Sequence, residues 1–391
     1  MLTIAYIHNE NRLQTGAHYI NELISTKLRE RGVEVKHFYP SVPLIEAPIK
    51  LKGLSNILFF YSLLEHRNEI LKCDLIQGTT YTPLTFLAFP IPVISHFGST
   101  TYGFLEAVPR SAKLPDDLKE VIHTLRKLGV VKEIDFKSAR PLQDISEIEK
   151  YVAQRADAVI ATSRVVEEDL KRMHVPAERI HLIHNAIEDF WYEKKPSKSL
   201  AEPGLLFLGR LGNDVFNYKL KGLDRLISIY RAFPNTPKST IAISINEKLS
   251  RWMDRDIPKH QAMFNLPKDA IRDVLSSRRG QIFLNTSRYE GFSLSLVEAM
   301  SQGVIPVSFP VGVAPEIVRN GENGFIVEDH AAAIKIVKKI LADDTLREQL
   351  SRAAYETSLA FKADQIADEF IKLYKDILAK PRTTPITLRK F

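Results

Sequence analysis

Asn285-Thr-Ser-Arg-Tyr-Glu290-Gly-Phe-Ser-Leu-Ser-Leu-Val-Glu298-Ala-Met-Ser-Gln-Gly-Val-Ile-Pro-Val307 is the stretch on which the reading of this chain turns. It begins at the end of the apolar run Ile282 to Asn285, crosses a polar loop, enters a helix and reaches a second apolar run, Ile305 to Ser308. Strand, loop, helix and strand in this order make one unit of a parallel sheet. Glu290 stands in the loop after the strand, and Gly291 permits close backbone approach. Ser293 or Ser295 can cap the helix that carries Glu298. The amides of Gly291, Phe292, Ser293 and Leu294 then face whatever occupies that end of the sheet. Glu298 suits paired hydrogen bonds to vicinal hydroxyls such as those of a ribose, and Glu290 could do the same for a sugar. Spacing alone gives equal weight to acids that merely complement a helix dipole.

Outward from this stretch the alternation continues. Toward the N-terminus it includes strands Leu2 to Ile7, Val33 to Phe38, Asp74 to Gln77, Pro92 to His96 and Ala158 to Ser163. Around the stretch it includes Leu205 to Leu208 and Thr240 to Ile245, with a helix from about Lys221 and a long amphipathic helix from Ala363 to about Ala379. The fold class expected is α/β, with two Rossmann-like domains whose parallel sheets face a central cleft. The expected division is 1–188, 189–362, a helix over 363–380 that crosses back to the first domain, and a flexible tail over 381–391. Residues 105–150 break the rhythm and predict a helical insertion or mobile lid in the first domain. Trp191 to Ser199 reads as a linker. In open parallel sheets ligands bind beyond the carboxyl ends of the strands, where the candidate residues lie.

Composition bounds the function. The 391 residues suffice for two or three cores, and 45% hydrophobic with 26% charged is ordinary for a globular protein. One cysteine, Cys73, excludes internal disulfides and cysteine-based metal sites. No apolar run reaches the ~18 residues of a membrane span, and Met1 to Ile7 lacks the basic leader of a signal peptide. A cytoplasmic protein is expected. The formal charge of +7 suits an anionic partner, yet the basic residues are dispersed, which argues against nucleic acid.

The stretch Glu290-Gly-Phe-Ser-Leu-Ser-Leu-Val-Glu298-Ala-Met-Ser-Gln-Gly resembles the E-x7-E region of retaining glycosyltransferases of family 4, which have the GT-B fold. Ala314-Pro-Glu316, Asn320-Gly-Glu-Asn-Gly-Phe-Ile-Val, Leu208-Gly-Arg210, Lys221-Gly-Leu-Asp, Ala161-Thr-Ser163 and Ile183-His-Asn185 follow in the family's order. The resemblance implies that Glu298 holds the donor ribose and Glu290 the donor sugar. It implies that Arg210 and Lys221 hold the diphosphate, that His96 faces the reacting sugar, and that the Gln14-Thr-Gly16-Ala loop approaches the phosphates. Glu316 is a weaker candidate. Three departures stand out. Thr15-Gly16 replaces paired glycines, Asn185-Ala186 replaces Asn-Gly, and the interval from Arg210 to Lys221 is long, so Lys219 competes with Lys221.

The implied activity is metal-independent transfer, with retention, from a nucleotide-diphosphate sugar to a glycan, lipid-linked or small-molecule acceptor. No cofactor beyond that co-substrate is expected. A sugar-nucleotide epimerase or phosphorylase of the same fold, and a non-catalytic nucleotide-sugar-binding protein, are the alternatives. Asp254-Arg-Asp256 spells a metal-binding D-x-D but does not follow a strand, so it reads as a surface turn. His174, His181 and His184 read as surface or structural residues. Lys50 to Leu64 is basic and apolar enough for peripheral contact with the inner membrane face, while packing on the sheet explains it as well.

Overall fold

In the computed structural model, which describes residues 1–10, 16–42, 54–136, 140–212, 214–243 and 245–380, two six-stranded sheets account for the strands. The first contains β1 (Thr3–Ile7), β2 (Glu34–Phe38), β3 (Leu75–Thr79), β4 (Val93–Phe97), β5 (Ala158–Ala161) and β6 (Ile180–Leu182), in the order β2-β1-β3-β4-β5-β6. The second contains β7 (Leu205–Arg210), β8 (Lys238–Ile243), β9 (His260–Phe264), β10 (Ile282–Asn285), β11 (Ile305–Ser308) and β12 (Phe325–Ile326), in the order β12-β11-β10-β7-β8-β9. Every pairing is parallel. Parallel strands are covered on both faces, which is why β4, β5, β10 and β11 are buried throughout. The strand order reverses direction between β1 and β3 in one sheet and between β7 and β10 in the other. At such switch points the connecting loops diverge and leave a crevice beyond the strand ends.

The sheets belong to two units. One comprises Met1–Tyr102, Ala139–Glu188 and Phe361–Phe391, and the other Gly103–Ser138 with Asp189–Ala360. In the first, Ala5, Ile7, Ile76, Val93, Phe97 and Val159 point into an apolar core with Phe59, Leu63 and Phe86. Alternation puts Tyr6, Gln77 and His96 on the opposite face. There the helix Ala363–Leu378 lies, its Tyr374 hydroxyl donating to Gln77 Oε1 at 2.8 Å. Arg31 fixes the start of that helix through Asp364 and Asp368, at 3.1 and 2.6 Å.

In the second unit Leu205, Phe207, Ile282, Leu284 and Ile305 meet Leu226, Ile227, Val337 and Leu350 of the covering helices. The expected insertion behaves differently from its reading. It divides: Gly103–Ser138 belongs to the second unit, whereas the helix Arg140–Ala153 belongs to the first. The helix Asp116–Lys127 buries Leu118, Val121, Ile122 and Leu125 in the second core, so this part is no mobile lid. The reason lies in its apolar spacing, which needs a partner surface. The expected linker is also anchored. Trp191 is 1% exposed, and its carbonyl accepts from Gln302 Nε2 at 2.6 Å.

Among the described residues no helix is long and apolar enough to cross a membrane. On the helix Leu54–Leu64, Phe59 and Leu63 pack inward while Ile57 and Tyr61 are exposed. Lys50 and Lys52, Gln14 and Thr15, and the tail 381–391 lie outside the described residues.

Candidate functional site

Arg210 is the last residue of β7, the strand at the second switch point. It is exposed, and its guanidinium has no ion-pair or hydrogen-bond partner among the described residues. Its register neighbour Ile243 ends β8 and is 45% exposed. Phe264, ending β9, is 50% exposed. An exposed cation without a partner among the described residues thus stands beside one exposed apolar side chain, Ile243, at the carboxyl edge, whereas Phe264, in register with Ala242, belongs to the other face of the sheet. Ile243 does not stand out in the sequence, because an exposed apolar residue at a strand end looks like any core residue there.

Lys221 caps the helix Val215–Leu220, and Gly222 opens the helix Leu223–Arg231. Gly222 has φ +62°, and a Cβ there would lie 1.9 Å from the Thr286 carbonyl oxygen. Only glycine lets this turn reach the loop after β10. That contact is reinforced by Thr286 Oγ1 donating to the Lys221 carbonyl at 2.9 Å. The geometry brings Lys221 Nζ 2.6 Å from Glu290 Oε1, which also accepts from Ser287 Oγ at 2.6 Å. Lys219 goes elsewhere: fully buried, it donates to Asp135 Oδ1 at 2.7 Å. Partial burial pushes Asp135 up, but the bonds from Lys219 and Ser111 outweigh it and hold the carboxyl below its ordinary value.

The loop that carries Glu290 is welded to the two short helices. Arg288 forms a bidentate pair with Asp224 at 2.8 and 2.7 Å, and both are buried. Arg288 Nη1 also donates to the Lys219 carbonyl at 2.7 Å, and its amide to the Leu220 carbonyl at 2.7 Å. Arg225 lies 4.0 Å over the Phe309 ring and donates to the Thr286 and Ser287 carbonyls. Burial and the nearby Arg288 lower its pKa to about 10, which leaves it a cation at neutral pH. None of these partners is adjacent in sequence, so spacing could not find them.

Gly291 to Leu294 follow. Of the two serines expected as possible caps, Ser293 stands at the start of the helix Leu294–Ser301 without a side-chain cap, and Ser295 lies inside the helix. Ser293 adopts φ +76°, a left-handed conformation costing on the order of 1–2 kcal/mol outside glycine. Asn285 Nδ2 holds it, donating to Ser293 Oγ at 3.3 Å and to Ser308 Oγ at 3.0 Å. The Phe292 carbonyl accepts from Val313 N at 2.9 Å, and a Cβ on Gly312 would lie 2.5 Å from that carbonyl oxygen. Such over-determined strain is characteristic of functional loops. Glu298 sits on the helix, half-buried.

These residues share the second unit. Gly16 and His96 stand in the first. Gly16 opens the helix Gly16–Glu30 after β1. His96 lies near the carboxyl end of β4 and is 5% exposed. Its ring meets Phe370 edge-on at 5.6 Å, and Nε2 has no hydrogen-bond partner among the described residues. Burial lowers its pKa to about 4, so the imidazole is neutral at physiological pH. Just beyond it, Thr100 Oγ1 donates to Asp169 at 2.7 Å. Thr101 donates to Glu149 from its amide at 2.8 Å and its hydroxyl at 2.9 Å. Burial raises Glu149 to about 7. Asp254, from the D-x-D look-alike, accepts from His260 Nδ1 at 2.7 Å and from Ala262 N at 2.8 Å at the end of a helix. His260 faces the fully buried Thr240 hydroxyl with its other nitrogen at 2.8 Å, a packing network without an accessible nucleophile.

Family models match both units. The model described as Glycosyltransferase Family 4 matches residues 16–189, and that described as Glycosyl transferases group 1 matches residues 190–357. The chain belongs to glycosyltransferase family 4. An uncharacterized glycosyltransferase of Methanocaldococcus jannaschii is 27% identical over 248 residues, covering 60% of each chain. The chain therefore spans about 60% of that curated relative. Sucrose-phosphate synthase from Thermosynechococcus elongatus superposes with a TM-score of 0.76 over 97% of this chain and 100% of its own, at 17% identity. Anabaena HepE in complex with UDP-glucose superposes at 0.64 over 96% of this chain and 100% of its own, also at 17% identity. These likenesses establish the GT-B fold, which is the fold the sequence led us to expect.

Proposed function

We propose that this family 4 chain transfers a sugar, with retention and without a metal, from a nucleotide-diphosphate sugar to a glycan, lipid-linked or small-molecule acceptor. The observation that carries the reading is the Lys221–Glu290 pair at the β7/β10 switch point, with Arg210, unpaired among the described residues, at the neighbouring strand end. As the bond from the anomeric carbon to the diphosphate breaks, negative charge grows on the leaving oxygen. Arg210 supplies a planar fork and Lys221 a point charge for it. Glu290, already oriented by Ser287, accepts from donor-sugar hydroxyls, and Glu298 from the ribose. Ile243, beside Arg210, offers an apolar surface to the planar base. Gly16 serves the phosphates through its backbone. The neutral His96 serves the reacting sugar as an uncharged hydrogen-bonding group.

The acceptor oxygen attacks the face from which the diphosphate departs. A bond forms to the anomeric carbon as the phosphate bond breaks, and the acceptor proton passes to the leaving phosphate oxygen. No enzyme carboxylate is needed as a nucleophile in this step. The HepE complex, a structural neighbour with UDP-glucose, supports a nucleotide-sugar donor. We further propose a cytoplasmic location, with peripheral contact with the inner membrane face as the route to a lipid-linked acceptor.

Calorimetric titration with UDP-, GDP- and ADP-sugars tests the donor assignment. One donor should bind the wild type, with Arg210→Ala and Glu298→Ala each weakening it by roughly 1.5–3 kcal/mol, the scale of a lost charged hydrogen bond. Unchanged affinity in both folded variants would remove the site.

A further inference from the structure

Two features of the chain meet at one side chain. The first is the segment Gly103–Ser138, and the second is the long interval from Arg210 to Lys221. That interval holds the helix Val215–Leu220, and the segment Gly103–Ser138 packs on it. Phe136 meets Phe216 with ring centroids 4.5 Å apart. The fully buried Lys219 ammonium donates to Asp135 Oδ1 at 2.7 Å, Ser111 Oγ at 2.9 Å and the Pro109 carbonyl at 3.0 Å. An ammonium has three protons, so the inserted segment takes all of them. Ser111 N in turn donates to Asp135 Oδ1 at 2.6 Å, which fixes the carboxylate.

The main chain of the same residue faces the other way. Its carbonyl accepts from Arg288, two residues before Glu290, and two residues after Lys219 stands Lys221, which pairs with Glu290. Lys219 therefore ties the inserted segment, by its side chain, to the Glu290 loop, by its backbone. Burying an ammonium costs several kcal/mol unless its partners are well placed. Seating the segment does not require that outlay, because Leu118, Val121, Ile122 and Leu125 already bury its helix. A charged anchor adds what apolar packing lacks, a fixed register.

We propose that Lys219 is a positioning residue for the donor diphosphate: anchored by Asp135 and Ser111 of the inserted segment, it sets where Lys221 stands against Glu290. This rests on the donor reading of Lys221 and Glu290 given above. The inserted segment thereby becomes a working part of the donor side of the molecule.

A double-mutant cycle tests it, read by calorimetric titration of the whole chain with UDP, GDP, ADP and dTDP well below the unfolding temperature. Lys219→Met and Asp135→Asn should each weaken the diphosphate that binds the wild type about tenfold. Lys219→Met should add nothing in a Lys221→Met background, a coupling that general destabilisation does not produce. Equal losses in both backgrounds, or wild-type affinity in folded Lys219→Met, would overturn the positioning role alone. Should that variant not fold, Asp135→Asn carries the same comparison. If Lys221→Met itself binds as the wild type does, or if none of the four diphosphates binds the wild type, the donor reading falls and this proposal with it.

Discussion

Lys219 and Lys221 compete in sequence, with Lys221 favoured because Gly222 follows it, and their surroundings separate them. The first is consumed by Asp135, and the second reaches Glu290. The turn between them and the next helix depends on Gly222, whose place a Cβ would contest with the Thr286 carbonyl at 1.9 Å. Gly222→Ala should destabilise the protein by at least about 2 kcal/mol through left-handed strain and that clash. Chemical denaturation should show the loss, and donor affinity should fall with it. His96 gives a prediction in pH. Its folded pKa of about 4 lies below the ordinary 6.5, so the unfolded chain binds the extra proton between those values. Its contribution is therefore intact above pH 6.5 and is lost as pH falls toward 4, by on the order of 3 kcal/mol. Melting temperatures from pH 4 to 7 should show wild type losing more on acidification than His96→Gln, which cannot charge. Equal slopes would mean that the imidazole is not held neutral.

At the scale of elements, the loop after β10 is fixed from outside itself. Asp224 and Arg288 form a buried bidentate pair between a helix start and that loop. Removing one partner strands the other's charge, so Asp224→Ala should cost about 3–5 kcal/mol in denaturant unfolding, far more than loss of an exposed pair. A cost below about 1 kcal/mol would show that the pair does not hold the loop. The central strands were legible because they are continuous apolar runs: Ile282 to Asn285 and Ile305 to Ser308 match their expected limits. The edge strand His260–Phe264 was not, because it opens on two polar residues and its side chains are partly buried or exposed. Pro306 within β11 is tolerated because β12 pairs only with Val307 and Ser308. Asp135, Ser111 and Lys219 escaped the reading for a different reason. A contact between residues about 84 or more apart leaves no periodic trace in one sequence.

At the scale of the whole molecule, the motif order gave the family, and strand alternation gave two parallel sheets. Neither could say which sheet the segment Gly103–Ser138 joins, because amphipathic helices fit either. The candidate donor groups Arg210, Lys221, Glu290, Gly291 to Leu294 and Glu298 occupy one edge of the second sheet, whereas Gly16 and His96 belong to the first unit. The chemistry proposed for them has a stereochemical signature that fold alone does not fix. The most direct measurement is a proton NMR time course with the nucleotide sugar that binds best, in excess EDTA, with a sugar or lipid-linked acceptor from a panel. The account predicts release of the nucleoside diphosphate and a product whose new anomeric signal keeps the donor's configuration. A product of inverted configuration, or turnover that stops in EDTA and returns with a divalent ion, would contradict it.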